Sequence, residues 1–107
     1  MSTLVDNLRR QCNGPRDGAM LRFSLGNALL GEGDAAAAIV ELERALAFDP
    51  AYSAAWKLLG KACLEAGRPG AAADAWRRGI DAASRRGDRQ AEKEMTVFLR
   101  RLEKSRP

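Results

Sequence analysis

The strongest constraint in this sequence of 107 residues is an internal repeat with a period of 34 residues. Residues 19–52 align with residues 53–86 without a gap. Identical pairs include Leu25/Leu59, Gly26/Gly60, Ala28/Ala62, Leu30/Leu64, Gly33/Gly67, Ala38/Ala72 and Arg44/Arg78. A chain with this symmetry is expected to fold as stacked copies of one supersecondary unit.

Each copy has the pattern of two helices joined by a short turn. Apolar residues recur at helical spacing in four segments, which are residues 19–30, 35–48, 53–66 and 70–84. Asp34 and Ser53 are suited to cap the segments that follow them, because their side-chain oxygens can accept a hydrogen bond from the first helical turn. Pro50 ends the second segment and Gly67 the third.

Small residues stand where the two helices of a pair must approach closely. They occupy matched positions in both copies, namely Gly26, Ala38, Gly60 and Ala72. Larger side chains at these points would force the helix axes apart. We therefore expect these positions to lie in the helix–helix interfaces.

These residues resemble the consensus of the tetratricopeptide repeat family. The second copy carries the better first half of the motif and the first copy the better second half, in Trp56, Leu59, Gly60, Ala38, Leu42, Ala45 and Pro50. The resemblance implies an all-α fold of antiparallel helix pairs stacked in a right-handed solenoid. It also implies a protein-binding role without catalysis.

Three positions depart from that family pattern. Arg22 stands where the family usually has tryptophan, Cys63 where it has tyrosine, and Ser84 where it has proline. Arg22 suggests that the start of the first repeat is covered in a different way. Ser84 suggests that the last helix of the second repeat continues to about Gly87.

The flanking segments are expected to cap the stack. Residues 1–18 predict an N-terminal helix and linker, and residues 87–107 a C-terminal capping helix, so that six helices form one compact domain with the repeats at 19–52 and 53–86. The apolar edge of the first flank consists of Leu4, Val5, Leu8 and Cys12. The apolar stripe of the second consists of Ala91, Met95, Phe98, Leu99 and Leu102, with Asp88 as the helix cap.

Composition argues against an enzyme and against a bound metal or cofactor. The chain has no histidine, which is the commonest general base and metal ligand. Cys12 and Cys63 are too few and too far apart in sequence to form a zinc cluster by themselves, and Cys63 lies on the predicted core stripe. No glycine-rich phosphate loop follows a strand pattern. We expect a protein without catalytic residues and without a cofactor.

The expected location is the cytoplasm, with both cysteines as free thiols. The longest stretch without a charged side chain, residues 23–31, is far too short for a membrane span, and the first residues lack a signal-peptide pattern.

The family resemblance implies that the first helix of each pair lines a concave groove that binds a segment of another protein. The groove residues would be Met20, Phe23, Asn27 and Leu30 from the first repeat and Ala54, Lys57, Lys61 and Leu64 from the second. Lys57 and Lys61 share one helical face. They would suit an acidic side chain or a C-terminal carboxylate beside a hydrophobic anchor. The alternative is that both lysines are simply solvated.

Two other hypotheses remain open at this stage. The apolar groove residues Met20, Phe23 and Leu30 can instead be covered by the N-terminal helix or by a second copy of the chain. The second hypothesis concerns the basic C-terminal third of the chain. Residues 77–107 have a net charge of +5, whereas residues 1–76 have a net charge of −1.

That basic third supports a competing function in which the protein accompanies nucleic acid. Its arginines are Arg77, Arg78, Arg85, Arg86, Arg89, Arg100, Arg101 and Arg106. Acidic residues are interspersed among them, namely Asp81, Asp88, Glu92 and Glu94. A solvated capping face therefore competes with a phosphate-binding patch as the explanation of these arginines.

Overall fold

A computed structural model describes residues 3–105, and these form six α-helices without a strand. The helices are α1 (Thr3–Gln11), α2 (Ala19–Gly31), α3 (Ala35–Phe48), α4 (Ser53–Glu65), α5 (Pro69–Arg86) and α6 (Arg89–Ser105). The all-α prediction is confirmed. Each helix of the repeated segments lies close to its predicted range, and α5 continues two residues beyond Ser84.

The connections between helices use the residues that the sequence indicated. The Asp34 carboxylate accepts a hydrogen bond from the Ala37 amide at 3.1 Å, and the Asp88 carboxylate one from the Ala91 amide at 3.1 Å. Gly67 and Gly87 follow α4 and α5 with φ angles of 75° and 77°, in the left-handed region that favours glycine. Each connection is short enough to return the next helix against the previous one.

Ser53 does not cap α4, contrary to expectation. It is the first residue of the helix, and its hydroxyl donates a hydrogen bond to the Asp88 carboxylate at 2.8 Å. Ser53 therefore links the start of α4 to the start of α6, which lies 35 residues further along the chain.

The helices after α1 form two layers. Helices α2, α4 and α6 form the inner layer, in which α4 contacts both neighbours directly. Helices α3 and α5 form the outer layer and make no direct contact with each other within residues 3–105. We call the exposed surface of α2, α4 and α6 the inner face.

The close approaches predicted at the small residues are confirmed. A methyl group added at Gly26 would lie 2.7 Å from Leu42 Cγ, and one added at Gly60 would overlap the Trp76 indole. Leu25 and Leu42 are completely buried between the layers, as is Met95 of α6. The core is therefore continuous from the first helix pair to α6.

Helix α1 packs against α2 through buried Val5, with Leu8 and Cys12 partly buried beside it. Leu4, expected on the same apolar edge, is 57% exposed. Met20 is 74% exposed, so the hypothesis that the N-terminal helix covers it is wrong.

Arg22 is a buried cation at the start of the first repeat. Its Nε and Nη2 atoms donate to the two carboxylate oxygens of Asp17 at 2.8 Å each, and Nη1 donates to Glu41 at 2.8 Å. The guanidinium hydrogen bonds hold the pKa of Asp17 far below its usual range, and both carboxylates raise the pKa of Arg22. An ion-pair network thus occupies the place of the tryptophan that the family pattern leads one to expect.

Candidate protein-binding site

Phe23, Asn27 and Leu30 follow one another along one side of α2 at helical spacing. Phe23 is half-buried against the Tyr52 ring, at 5.1 Å between centroids, whereas Asn27 is exposed and Leu30 is half-buried. Met20 precedes them and is also exposed. Phe23, which was predicted for the groove, therefore makes an aromatic contact within the fold.

The corresponding residues of α4 face α6. Lys57 Nζ donates to Glu94 Oε1 at 3.1 Å, and Lys61 Nζ lies 5.0 Å from the centre of the Phe98 ring. The acidic side chain that the lysine pair was expected to attract is thus supplied in part by the protein itself. Lys61 stays exposed.

An apolar pocket of about 280 Å³ opens where α4 and α6 end together. Its lining consists of Leu64, Trp76, Phe98, Arg101, Leu102 and Ser105. Leu64 is 45% exposed at the rim, while the rings of Trp76 and Phe98 pack at 5.5 Å behind it. We call this feature the Leu64 pocket.

Two cations stand beside the Leu64 pocket. Lys61 lies one helical turn before Leu64 and covers the Phe98 ring, and Arg101 lines the pocket from α6. Within the described residues, neither cation has a carboxylate within 4 Å. An apolar cavity beside two unpaired cations can accept a hydrophobic side chain next to a carboxylate.

The comparisons with known proteins agree with this architecture. Residues 29–88 match the tetratricopeptide repeat family model. The TPR repeat-containing protein PA0015 of Pseudomonas aeruginosa is 48% identical over 103 residues, which cover 96% of this chain and 98% of the relative. The chain belongs to the tetratricopeptide repeat family. Repeats of this family generally serve as non-catalytic scaffolds that bind other proteins.

Solved structures support the same assignment. The solution structure of protein BPP2914 from Bordetella parapertussis superposes with a TM-score of 0.84 at 41% identity, covering 98% of this chain and 91% of that one. A tetratricopeptide repeat domain protein from Salinibacter ruber has a TM-score of 0.76 at 25% identity, covering 85% of this chain and 91% of that one.

The basic third of this tetratricopeptide repeat protein does not form one continuous patch. Arg85 pairs with Asp81 at 3.3 Å, and Arg86 donates to the Ala51 carbonyl at 2.9 Å. Both line an outer cleft of about 660 Å³ with Trp56. Arg101 lines the Leu64 pocket and, with Arg100 and Lys104, an adjoining depression on α6, and Arg106 lies outside the described residues.

Arg89 and Arg100 line a separate depression on α6. Arg77 pairs with Glu103 at 3.1 Å and Arg78 with Asp74 at 3.3 Å. The predicted set is therefore divided among several surfaces, and many of its charges are compensated.

The repeat pattern could not assign the pocket residues of α6 to the inner face, and these are Phe98, Arg101, Leu102 and Ser105. The repeat of 34 residues does not extend to α6, because α5 is longer than α3. When α6 is instead aligned with α4 at an offset of 36 residues, the buried residues Ala91 and Met95 correspond to the buried residues Ala55 and Leu59. That weaker correspondence was the available signal that α6 belongs to the inner layer.

Features of other site classes are limited in the described chain. Residues 3–105 contain no group of three or more metal-ligating side chains and no helix with the length and apolar character needed to cross a membrane. Cys12 and Cys63 are free, and burial raises the pKa of both thiols.

Proposed function

We propose that this protein is a non-catalytic adaptor that binds a segment of a partner protein on its inner face. The observation that carries the proposal is the Leu64 pocket, which combines an open apolar cavity with the cations Lys61 and Arg101. Solenoids of helix pairs expose such surfaces for binding extended partner segments.

The chemistry of the pocket suggests the chemistry of the segment. Leu64, Phe98 and Trp76 provide an apolar contact for one hydrophobic side chain. Arg101 can hold a carboxylate with two parallel hydrogen bonds, and Lys61 adds a second positive charge. A hydrophobic residue beside an acidic residue or a C-terminal carboxylate satisfies both requirements.

The exposed residues of α2 extend the site across the inner layer. Asn27 can donate to and accept from a peptide backbone, and Met20 and Leu30 offer further apolar contact. Lys57 is less available to a bound segment, because its ammonium group is already paired with Glu94 of α6. We propose Lys61, Leu64 and Arg101 as the centre, with Asn27, Leu30 and Met20 at the periphery.

The free cysteines support a reducing compartment, and we propose the cytoplasm as the site of action.

A peptide-display selection tests the binding site directly. The wild type is screened against a random peptide library, and the enriched peptides are titrated against Leu64→Asp and Val40→Asp. Val40, on the outer helix α3, is 44% exposed and therefore matches Leu64 at 45% as a control. We expect enriched peptides with a hydrophobic–acidic pair, lost with Leu64→Asp and retained with Val40→Asp.

A charge variant gives the second readout. Arg101→Glu is expected to weaken the same peptides about tenfold, because an attraction becomes a repulsion at a desolvated contact. Binding that is equal in wild type, Leu64→Asp and Arg101→Glu would contradict the proposed site.

A further inference from the structure

One side of α6 carries a row of cations that no element of the described chain covers. Its members are Arg89, Lys93, Val97, Arg100 and Lys104, spaced so that they fall on one face of the helix over roughly 22 Å. We call this row the α6 stripe. The apolar Val97, 42% exposed, lies at its centre.

The charges of the α6 stripe are uncompensated. In residues 3–105 none of its four cations has a carboxylate within 4 Å. Glu94 is paired with Lys57 on another side of the helix, whereas Glu103, which is paired with Arg77, lines a depression beside Val97, Arg100 and Lys104. Glu92 is half-buried at one edge of the stripe.

The stripe is the counterpart of a surface that already receives a helix. At the offset of 36 residues, Lys93 corresponds to Lys57 and Val97 to Lys61. Those two residues of α4 receive α6 through the Glu94 carboxylate and the Phe98 ring. The α6 stripe thus corresponds to the part of the α4 surface that contacts α6, while α6 packs more extensively against α5.

We propose that the α6 stripe docks an acidic helix of a partner protein as a fourth helix of the inner layer. The docked helix presents a carboxylate to Lys93 and an apolar side chain to Val97, in the way that Glu94 and Phe98 meet α4. Further carboxylates at helical spacing face Arg100 and Lys104. This surface adjoins the Leu64 pocket, because Arg101 of that pocket also lines a depression with Val97, Arg100 and Lys104. The docking uses the stripe residues and does not depend on the function proposed for the pocket.

Two other occupants fit the stripe less well. A nucleic-acid backbone would pair with the cations but would leave Val97 against phosphates, with no apolar partner. The exposed helix α1 of a second copy would bring Arg9 and Arg10 against the stripe, where like charges repel. An acidic helix meets both the charge and the apolar centre.

The test uses a synthetic stapled helix of about 18 residues as the probe. The repeated unit of its sequence is a glutamate followed four positions later by a phenylalanine. Further glutamates lie on the same face of the helix. A second peptide of the same composition distributes these residues around the helix. Binding of each peptide is measured by fluorescence anisotropy with the wild type and with the stripe variant Lys93→Glu/Arg100→Glu. The control variant, Arg9→Glu/Arg10→Glu, changes the net charge by the same amount but on α1.

We expect saturable binding of the patterned helix that weakens as salt rises and falls about tenfold or more in Lys93→Glu/Arg100→Glu. The α1 variant is expected to bind the patterned helix as tightly as the wild type does. The scrambled peptide is expected to bind the wild type only weakly. Val97→Ser is expected to weaken the helix severalfold without changing the affinity for duplex DNA. Circular dichroism confirms that all variants are equally helical.

Equal binding of both peptides, or equal binding to both charge variants, would overturn the proposal. Duplex DNA that binds the stripe more tightly than the patterned helix would assign it to a phosphate backbone instead. A concentration-dependent dimer that is lost in Lys93→Glu/Arg100→Glu would assign it to a second copy of the chain.

Discussion

Lys57 on α4 and Glu94 on α6 form an ion pair of 3.1 Å between two parallel members of the inner layer. Through this pair α6 covers part of the α4 surface, with an acidic group against a lysine. The pair also explains why the open part of the inner face lies further along, at Lys61, Leu64 and Arg101.

The Lys57–Glu94 pair is expected to contribute little to stability, because both side chains are partly exposed to solvent. Glu94→Gln should reduce the free energy of unfolding by about 0.5 kcal/mol. A double-mutant cycle with Lys57→Met, followed by urea denaturation, measures the coupling. The charge exchange Lys57→Glu/Glu94→Lys should restore most of the lost free energy of unfolding. A coupling energy of zero would show that the ion pair adds nothing to stability.

Gly60→Ala should destabilise the fold, because the added methyl group overlaps the Trp76 indole. Overpacking of this kind costs about 1–3 kcal/mol, while the better helix propensity of alanine returns up to about 1 kcal/mol. Gly70→Ala is the matched control, since nothing lies within 4 Å of the added group there. Urea denaturation should show a loss for the first and no loss for the second; equal effects would refute the close contact.

Arg22→Met should be among the most destabilising single changes in the first repeat. It leaves the Asp17 carboxylate without its cation and leaves Glu41 with the exposed Arg44 as its partner. Breaking such a buried network typically costs about 3 kcal/mol. Thermal or urea unfolding measures the loss, and adding Asp17→Asn and Glu41→Gln should recover much of it. If the triple variant were no more stable than Arg22→Met, the uncompensated charge would not be the cause.

Stability should fall in acid. The Arg22 hydrogen bonds lower the pKa of Asp17, and the Ala91 amide, with the Ser53 hydroxyl, lowers the pKa of Asp88. Each carboxylate therefore stabilises the fold fully above its unfolded pKa of about 3.9, and this contribution disappears as pH falls toward the folded value. Urea midpoints at pH 7, 5 and 3 measure the effect. A midpoint unchanged from pH 5 to pH 3 would argue against it.

Both thiols should react slowly with a disulfide reagent at neutral pH, because burial raises the pKa of each. Cys12 is half-buried and Cys63 almost fully buried, so Cys12 should react first. The single variants Cys12→Ser and Cys63→Ser assign the two kinetic phases. Both phases should become fast in urea, and a rapid reaction of folded Cys12→Ser would contradict the burial of Cys63.

Helix positions followed from the sequence because their causes are local. Asp34 and Asp88 cap helices through bonds to amides three residues away, and Gly67 and Gly87 end helices through their own backbone angles. The prediction for Ser53 failed because its hydroxyl instead bonds Asp88, a residue distant in sequence. Nothing local to Ser53 indicates that contact.

The candidate site could be predicted only in part for the same reason. Lys61 and Leu64 were predicted for the groove because the family resemblance implied it, whereas Arg101 was assigned to a different surface. The location of Arg101 depends on how α6 packs against α4, and the longer α5 moves α6 out of the repeat of 34 residues. The same shift separates Arg85 and Arg86 from Arg100 and divides the predicted basic patch.

The sequence by itself determined the helices, the two matched pairs and the small residues between them, because these depend on periodicity and on nearest neighbours along the chain. Tertiary structure alone decided which charges meet between different helices. Lys57 meets Glu94, Arg22 meets Glu41, and Arg101 meets the Leu64 pocket, through contacts between residues 19 to 37 positions apart. Long side chains pair with whatever the packed helices bring within reach, so the binding surfaces emerge only once the helices are assembled.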